Sequence, residues 1–235
     1  MCFSICMMLI TFLVFADNND KDYSVIIKSF TENGSYVEYP QVSGLKDKRK
    51  QEKEYRINRF ENKRAYLSQY SSRLSSTFQS KLNVLINEQV NKQKNKDNAD
   101  RIKLIYLCQL LSSSYTGSYE VILGMSNSKL YLDEKKSQVY WYPESIYESI
   151  DKDMEEIEKI LRKKFIRLQD SELFYIKQKL LYDDWKLLKK VFYFMSIQSV
   201  GLILDSPLRK ENELLFLCGN YMDNLKIILH TRGEM

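Results

Sequence analysis

The stretch Ile102-Lys103-Leu104-Ile105-Tyr106-Leu107-Cys108-Gln109-Leu110 decides the fold predicted for this chain. Apolar residues occupy every second position of the stretch, and Ile105 and Leu107 place further apolar side chains on its other side. This pattern predicts a strand with both faces covered. Short runs of β-branched and aromatic residues then follow at residues 119–123, 129–132 and 138–142. Because only short turn-like segments separate these runs, the sequence predicts an antiparallel meander.

Helices are predicted after this meander. Over residues 146–165 the apolar residues recur at spacings of three and four, opposite a face of Asp, Glu and Lys, which is typical of an amphipathic helix. Further helices are predicted at residues 171–181, 184–190 and 221–229, and late strands at residues 192–195, 200–204 and 213–218. Strands, helices and strands without regular βαβ alternation predict an α+β fold. We expect antiparallel sheets with helices packed on one face, in a two-lobed single unit.

The chain before residue 101 is predicted to hold a hairpin and helices. Two strand-like runs, at residues 23–30 and 35–39, flank an Asn-Gly pair, which is a strong hairpin signal. In Tyr39-Pro40-Gln41-Val42-Ser43-Gly44-Leu45-Lys46-Asp47 the proline keeps the preceding residue extended. The glycine in this segment allows a turn before a basic run opens a helix. A clearer helix is predicted at residues 75–94, and a polar loop at residues 91–100.

The first sixteen residues predict the compartment. Residues 2–15 are almost wholly apolar and uncharged, and Val14-Phe15-Ala16 precedes the polar Asp17. This is the pattern of a secretory signal peptide without its basic start, and the rival interpretations are a buried strand and an uncleaved anchor. The predicted organisation is a signal peptide at residues 1–16, a hairpin and helices at 17–100, and the meander, helices and C-terminal strands at 101–235. The last two parts are expected to form the same compact unit.

The charge of the chain is moderately basic. Its 235 residues carry a net charge of +5, mainly from basic blocks at residues 46–64 and 159–167. We interpret these blocks as solvated helix faces, and a surface attracted to an anionic cell wall or membrane is the alternative. The basic residues are not gathered with aromatic residues in a recognisable module, so no nucleic-acid partner is expected.

Residues that commonly carry catalysis or bind metals are few. His230 is the only histidine, and we expect it on the surface near the C-terminus. No zinc-type Cys or His spacing, dinucleotide fingerprint, Walker loop or Gly-x-Ser-x-Gly motif occurs. Cys108 and Cys218 lie in apolar runs and are expected as two separately buried thiols, with a disulfide as the alternative. The sequence therefore predicts no catalytic, cofactor-binding or metal-binding residue and no cofactor.

Acidic pairs and one aromatic run are the remaining candidate sites. Asp183-Asp184, Asp151-Lys152-Asp153 and Glu155-Glu156 contain carboxylates that could serve as acid and base in glycoside hydrolysis. We expect them instead at helix starts or on helix surfaces, where acids meet the helix dipole favourably. Tyr140-Trp141-Tyr142-Pro143 could stack on a carbohydrate or a peptide. The preferred interpretation places Trp141 in the core and leaves both tyrosines partly exposed.

The segment from Tyr39 to Lys48, followed by a basic run and Ile57-Asn58, closely resembles the opening of an extracytoplasmic domain of unknown function in Gram-positive, spore-forming bacteria. That family includes the ectodomain of a lysozyme-sensing anti-sigma factor and the N-terminal part of a peptidoglycan deacetylase. Residues 114–119 resemble its central strand, and residues 193–226 resemble its tail of strand, proline loop, strand and terminal helix. The family's glycine-rich turn with His-Pro has no counterpart in residues 120–128, so no ligand contact is carried over to a named residue.

The resemblance implies a secreted or cell-surface, non-enzymatic binding module of the bacterial cell envelope. Its expected partner is an envelope protein or a cell-wall glycan, and no membrane span is expected after processing. One alternative is a hydrolase that acts on peptidoglycan through Asp183 and Asp184. The other is a cytoplasmic basic binding protein with an unprocessed N-terminus.

Overall fold

A computed structural model describes residues 44–94, 101–165 and 167–232. The predicted signal peptide, the predicted N-terminal hairpin and residues 39–43 lie outside the described residues, and Gly44, which was predicted to make a turn before the helix, is the first residue of that helix. From Lys48 onward the described residues belong to one compact unit, in which the expected division into two lobes is not observed. In chain order the elements are α1 (Gly44–Lys94), β1 (Ile102–Gln109), α2 (Ser113–Thr116), β2 (Val121–Ser126), a 3₁₀ turn (Leu130–Leu132), β3 (Ser137–Trp141), α3 (Glu144–Tyr147), α4 (Ile150–Lys164), α5 (Asp170–Leu204), β4 (Lys210–Asn220) and β5 (Leu225–Arg232).

The described strands form one mixed sheet with the order β3-β2-β1-β4-β5. The meander β1-β2-β3 is antiparallel, as predicted, and β5 pairs antiparallel with β4. However, β4 lies parallel to β1, so the expectation of purely antiparallel sheets is wrong at this pair. The reason is the connection, because α3, α4 and α5 stand between β3 and β4 and a long helical crossover can return a strand in parallel orientation. The predicted α+β class is confirmed.

The described helices cover one face of this sheet, as expected. Ile105 and Leu107 of β1 belong to a large core that includes Phe78 of α1 and Phe192 of α5. Tyr106 points to the opposite face, where a smaller apolar cluster is closed by residues of the 3₁₀ turn and of the β4–β5 connection. The strand β1 is thus buried on both faces, which its sequence pattern predicted.

The two described cysteines lie on opposite faces of the sheet. Cys108 belongs to the smaller cluster, with its Sγ 3.4 Å from the hydroxyl of Tyr131, whereas Cys218 belongs to the helix-side core. Both thiols are buried and free, so the predicted separate burial is confirmed and the alternative disulfide is not formed. Burial raises the pKa of the Cys108 thiol to about 11 and that of Cys218 to about 12.

Two long helices replace several shorter predicted elements. The helix predicted at residues 75–94 is the C-terminal part of α1, and the loop predicted from residue 91 is therefore wrong up to Lys94. The single helix α5 includes the strands predicted at residues 192–195 and 200–204, which are wrong. Val191, Phe192 and Met195 are buried at helical spacing, and this packing overrides the strand propensity of β-branched and aromatic residues.

The C-terminal end forms the strand β5 where a short helix was predicted. The turn from β4 to β5 is tight, because Met222 has a φ of 57° and a Cβ on Gly219 would collide with the carbonyl of Asn224. This reversal places β5 in register with β4. The strand predicted at residues 129–132 is also wrong, since the chain there makes the 3₁₀ turn, with Leu130 at a φ of 52°.

Candidate functional site

An open cleft of about 360 Å³ lies beside the N-terminal end of α4. The loop of residues 117–120, between α2 and β2, lines one part of it. Four side chains from the segment after β3 line the rest, namely Tyr142, Tyr147, Glu148 and Asp151. We call this feature the tyrosine cleft.

The loop that lines the tyrosine cleft has an unusual backbone. Gly117 ends α2 with a φ of 69°, a conformation that glycine adopts without a steric penalty. Tyr119 has a φ of 50°, which costs a residue with a side chain about 1–2 kcal/mol. Its ring is buried and stacks on the ring of Tyr147, with centroids 5.9 Å apart. Packing of the ring therefore holds the strained backbone in place, as is common at binding sites.

The other part of the cleft follows from the alternation along β3. Trp141 is buried against Phe78, while Tyr140 is 56% exposed and Tyr142 is 39% exposed. This confirms the predicted placement of all three aromatic residues. Pro143 is the residue before α3, and Tyr142, which follows the end of β3, lines the cleft. Tyr142 thus offers an accessible ring beside the cleft.

Carboxylates give the tyrosine cleft a negative character. Glu120, Glu148 and Asp151 line it. Burial raises the pKa of the Tyr142 hydroxyl, and the negative charges of Glu144, Glu148 and Asp151 raise it further. One cation stands at the edge: the Lys177 Nζ lies 3.9 Å from a carboxylate oxygen of Asp151 and 5.3 Å from the centroid of the Tyr119 ring. Aromatic faces next to hydrogen-bond acceptors suit a ligand that carries hydroxyl or ammonium groups.

The predicted acidic pair Asp183-Asp184 lies elsewhere, in the middle of α5. The prediction of a helix start or a helix surface is wrong for it, because both side chains are buried between helices. Asp184 accepts hydrogen bonds from Arg59 Nη1 and Nη2 at 2.8 and 2.7 Å and from Lys63 Nζ at 3.0 Å. Arg56 donates from Nε to Asp183 at 2.9 Å.

These contacts belong to a set of paired charges that we call the buried ion cluster, formed by Arg56, Arg59, Lys63, Asp153, Asp183 and Asp184. The cluster joins α1 to α5, and Arg59 also donates to Asp153 of α4 at 2.7 Å. Lys63 donates to the carbonyl of Ile146 at 2.6 Å, which ties in α3. The expectation that the basic block at residues 46–64 is a solvated helix face is therefore wrong for Arg56, Arg59 and Lys63.

Burial sets the direction of the pKa shift for two members of the cluster, whereas for Arg59 the carboxylates of Asp184 and Asp153 outweigh it and raise the pKa. Burial raises the pKa of the Asp183 carboxyl, against the lowering effect of Arg56. It lowers the pKa of the Lys63 ammonium despite the nearby Asp184. Asp184 has no accessible surface and its two oxygens are taken by Arg59 and Lys63. A carboxylate held in this way is suited to fixing helices and poorly suited to meeting a substrate.

The other predicted residues lie where their local sequence indicated. Asp151 and Asp153 stand in the first turn of α4, as expected for acids at a helix start. His230 is on the exposed strand β5, with its Nε2 3.8 Å from a carboxylate oxygen of Glu213. Within the described residues, no group of three or more His, Cys, Asp or Glu side chains is placed to hold a metal ion.

The sequence indicated only part of the tyrosine cleft. Tyr142 was a candidate from its aromatic run, and Asp151 from its acidic pair, but nothing predicted that Tyr119, Glu120 or Glu148 would join them. The only local signal was the glycine at position 117, which marks a turn without showing what the turn faces. No protein-family model, no curated protein and no solved structure matches the chain.

Proposed function

We propose that the protein is a non-enzymatic binding module of the bacterial cell envelope, secreted or held at the cell surface, and that the tyrosine cleft receives its ligand. The observation that carries this proposal is the combination of an accessible Tyr142 ring with the carboxylates of Glu148 and Asp151 in one open cleft. The proposed location outside the cytoplasm is supported by the signal-like segment at residues 1–16 and by the resemblance of residues 39–58 to an envelope domain.

A wall glycan fits this cleft better than an apolar ligand does. A pyranose ring presents an apolar face that can stack on a tyrosine and a rim of hydroxyl groups that can donate to carboxylates. Hydrogen bonds to charged acceptors contribute about 1.5–3 kcal/mol each. The cleft volume of about 360 Å³ lies within the range of roughly 300–1,000 Å³ that ligand sites commonly have.

The surroundings of Asp183 and Asp184 do not support the alternative of a hydrolase that acts through these two residues. The adjacent carboxylates Asp183 and Asp184, which were the candidates for hydrolysis, are paired with Arg56, Arg59 and Lys63. An acid and a base for glycoside hydrolysis would have to reach the scissile bond from both sides. Asp184 has no accessible surface from which to do so.

The test is cosedimentation of the purified protein with insoluble wall glycan, comparing Tyr142→Ala with Tyr140→Ala. Both tyrosines are exposed at the same strand end, but only Tyr142 lines the cleft. A stacked aromatic contact contributes about 0.5–1.5 kcal/mol, so Tyr142→Ala is expected to weaken binding roughly two- to thirteen-fold. Tyr140→Ala should leave it within about two-fold of the parent protein.

Three results would count against the proposal. Equal loss in the two variants, or no retention on the glycan at all, would remove the cleft as its binding site. Steady release of soluble sugar fragments that is abolished in Glu148→Gln would show that the protein is an enzyme. If the protein captures an envelope protein and Tyr142→Ala abolishes that capture, the cleft is still the binding site and its ligand is a protein.

A further inference from the structure

The last turns of α5 present apolar side chains to the outside of the protein. Tyr193 is 38% exposed, Ile197 43% and Leu204 40%. Their spacings of four and seven residues place them on one side of the helix. Gly201 lies on the same side, and open space surrounds the position where its Cβ would be. We call these residues the outer stripe of α5.

The outer stripe is distinct from the side of α5 that packs in the core. Phe192, Met195 and Ile203 are buried and belong to the large cluster on the sheet. By length and composition, α5 is the one helix in the described part of the chain that could cross a membrane, and 44% of its most apolar window is buried. The second half of α5 therefore buries one side in the core and exposes the apolar outer stripe on the other.

Lysines stand at both ends of the outer stripe. Lys190 is exposed less than one turn before Tyr193. At the other end, Lys210 Nζ donates to the carbonyls of Leu204 and Ser206 at 2.7 and 3.1 Å, which places a positive charge beside Leu204. Asp205 is an acidic neighbour at this end.

We propose that the outer stripe of α5 docks the protein on the surface of a bilayer that contains anionic phospholipids. Ile197 and Leu204 would enter the boundary between headgroups and acyl chains, and Tyr193 would lie at the level of the headgroups, where aromatic residues with a polar tip are favoured. Lys190 would face lipid phosphates, and the Lys210 ammonium, held against the Leu204 and Ser206 carbonyls, would add positive charge at the other end of the stripe. This docking is peripheral and does not involve the tyrosine cleft.

The charges favour a lipid surface over a second copy of the chain. In a two-fold dimer the same patch meets itself, so Lys190 would face either its own copy or the end that carries Lys210 beside Asp205. Like charges at an interface disfavour association. An anionic bilayer attracts both ends at once.

The test is flotation of the full-length protein with vesicles of three parts phosphatidylcholine to one part phosphatidylglycerol, beside vesicles of phosphatidylcholine alone. Ile197→Glu is expected to lower binding to the anionic vesicles at least ten-fold. The matched control is Ile57→Glu, which makes the same change on a helical isoleucine that is 52% exposed in α1, away from the stripe. The control is expected to bind within two-fold of the parent, and binding should weaken with added salt.

A local probe separates the outer stripe from the apolar residues 2–15, which could bind lipid by themselves. In Ile197→Trp, the new indole should shift its emission to shorter wavelength when anionic vesicles are added. Vesicle binding without this shift, equal loss in both glutamate variants, or a dimer in solution that Ile197→Glu dissociates would each overturn the proposal. Loss of wall binding in Tyr142→Ala with vesicle binding intact would show that the two sites are separate.

Discussion

Replacing Asp184 with alanine should cause a large loss of stability, because it removes the central acceptor of the buried ion cluster. The Asp184 side chain has no exposure and that of Arg59 is 5% exposed, so the guanidinium cannot regain water when its partner is lost. Lys63, 12% exposed, loses the same acceptor. Removing one partner from a buried pair costs about 3–5 kcal/mol. This is a substantial part of the roughly 5–15 kcal/mol by which folded domains are stable.

The measurement is thermal and urea unfolding followed by circular dichroism. For a unit of this size each kcal/mol lowers the unfolding midpoint by roughly 2–4 °C, so Asp184→Ala should lower it by roughly 6–20 °C. The control is Glu158→Ala, which removes an exposed pair with Arg162 on α4 and should cost at most about 0.5 kcal/mol. A loss below about 1 kcal/mol in Asp184→Ala would refute the structural role given to the cluster.

Two further predictions concern buried thiols and two glycines. The pKa of a thiol is about 8.5 in the unfolded chain, whereas in the folded protein the pKa values of Cys108 and Cys218 are about 11 and about 12. The contribution of these thiols to the free energy of unfolding is therefore complete below pH 8.5 and is lost as the pH rises through the folded values. Between pH 8.5 and 10 this loss is about 1.6 kcal/mol per thiol. Urea titrations should show that the double alanine variant loses about 3 kcal/mol less than the parent over this range, and an equal loss would contradict the prediction. Gly219→Ala should cost at least about 2 kcal/mol in thermal unfolding because its Cβ would meet the Asn224 carbonyl, whereas Gly201→Ala, in an open helical position, should stabilise by about 0.5–1 kcal/mol. A stable Gly219→Ala variant would show that the β4–β5 turn is looser than described.

Local patterns predicted those parts of the fold that local packing determines. The alternation in β1 and β3 identified both strands, and the apolar spacing in residues 75–94 identified the buried side of α1. The placement of Trp141 in the core between exposed tyrosines followed from the same period of two. In each case the pattern of a short segment directly reflects which side it buries.

The misses share a different physical origin. In the second half of α5, strand-forming residues lie in a helix because they pack in the large core. Local strand propensity carries no information about this tertiary packing. Local sequence predicts Asp184 at a helix start or on a helix surface, and its burial could not be predicted because its partner Arg59 is 125 positions away in the chain. The tyrosine cleft combines a loop at residues 117–120 with residues 142–151, and the pairing of β2 with β3 and the stacking of Tyr119 on Tyr147 bring those segments together.

The most direct test of the central claim is a titration of tyrosine-labelled protein with soluble wall-glycan fragments, followed by nuclear magnetic resonance of the ring signals. Single Tyr→Phe variants would assign the rings of Tyr142, Tyr119 and Tyr140. If the tyrosine cleft binds the glycan, the signals of Tyr142 and Tyr119 shift and saturate together while that of Tyr140 stays in place. Saturating shifts confined to other tyrosines, or no shift at millimolar glycan, would contradict the assignment of the cleft as the ligand site.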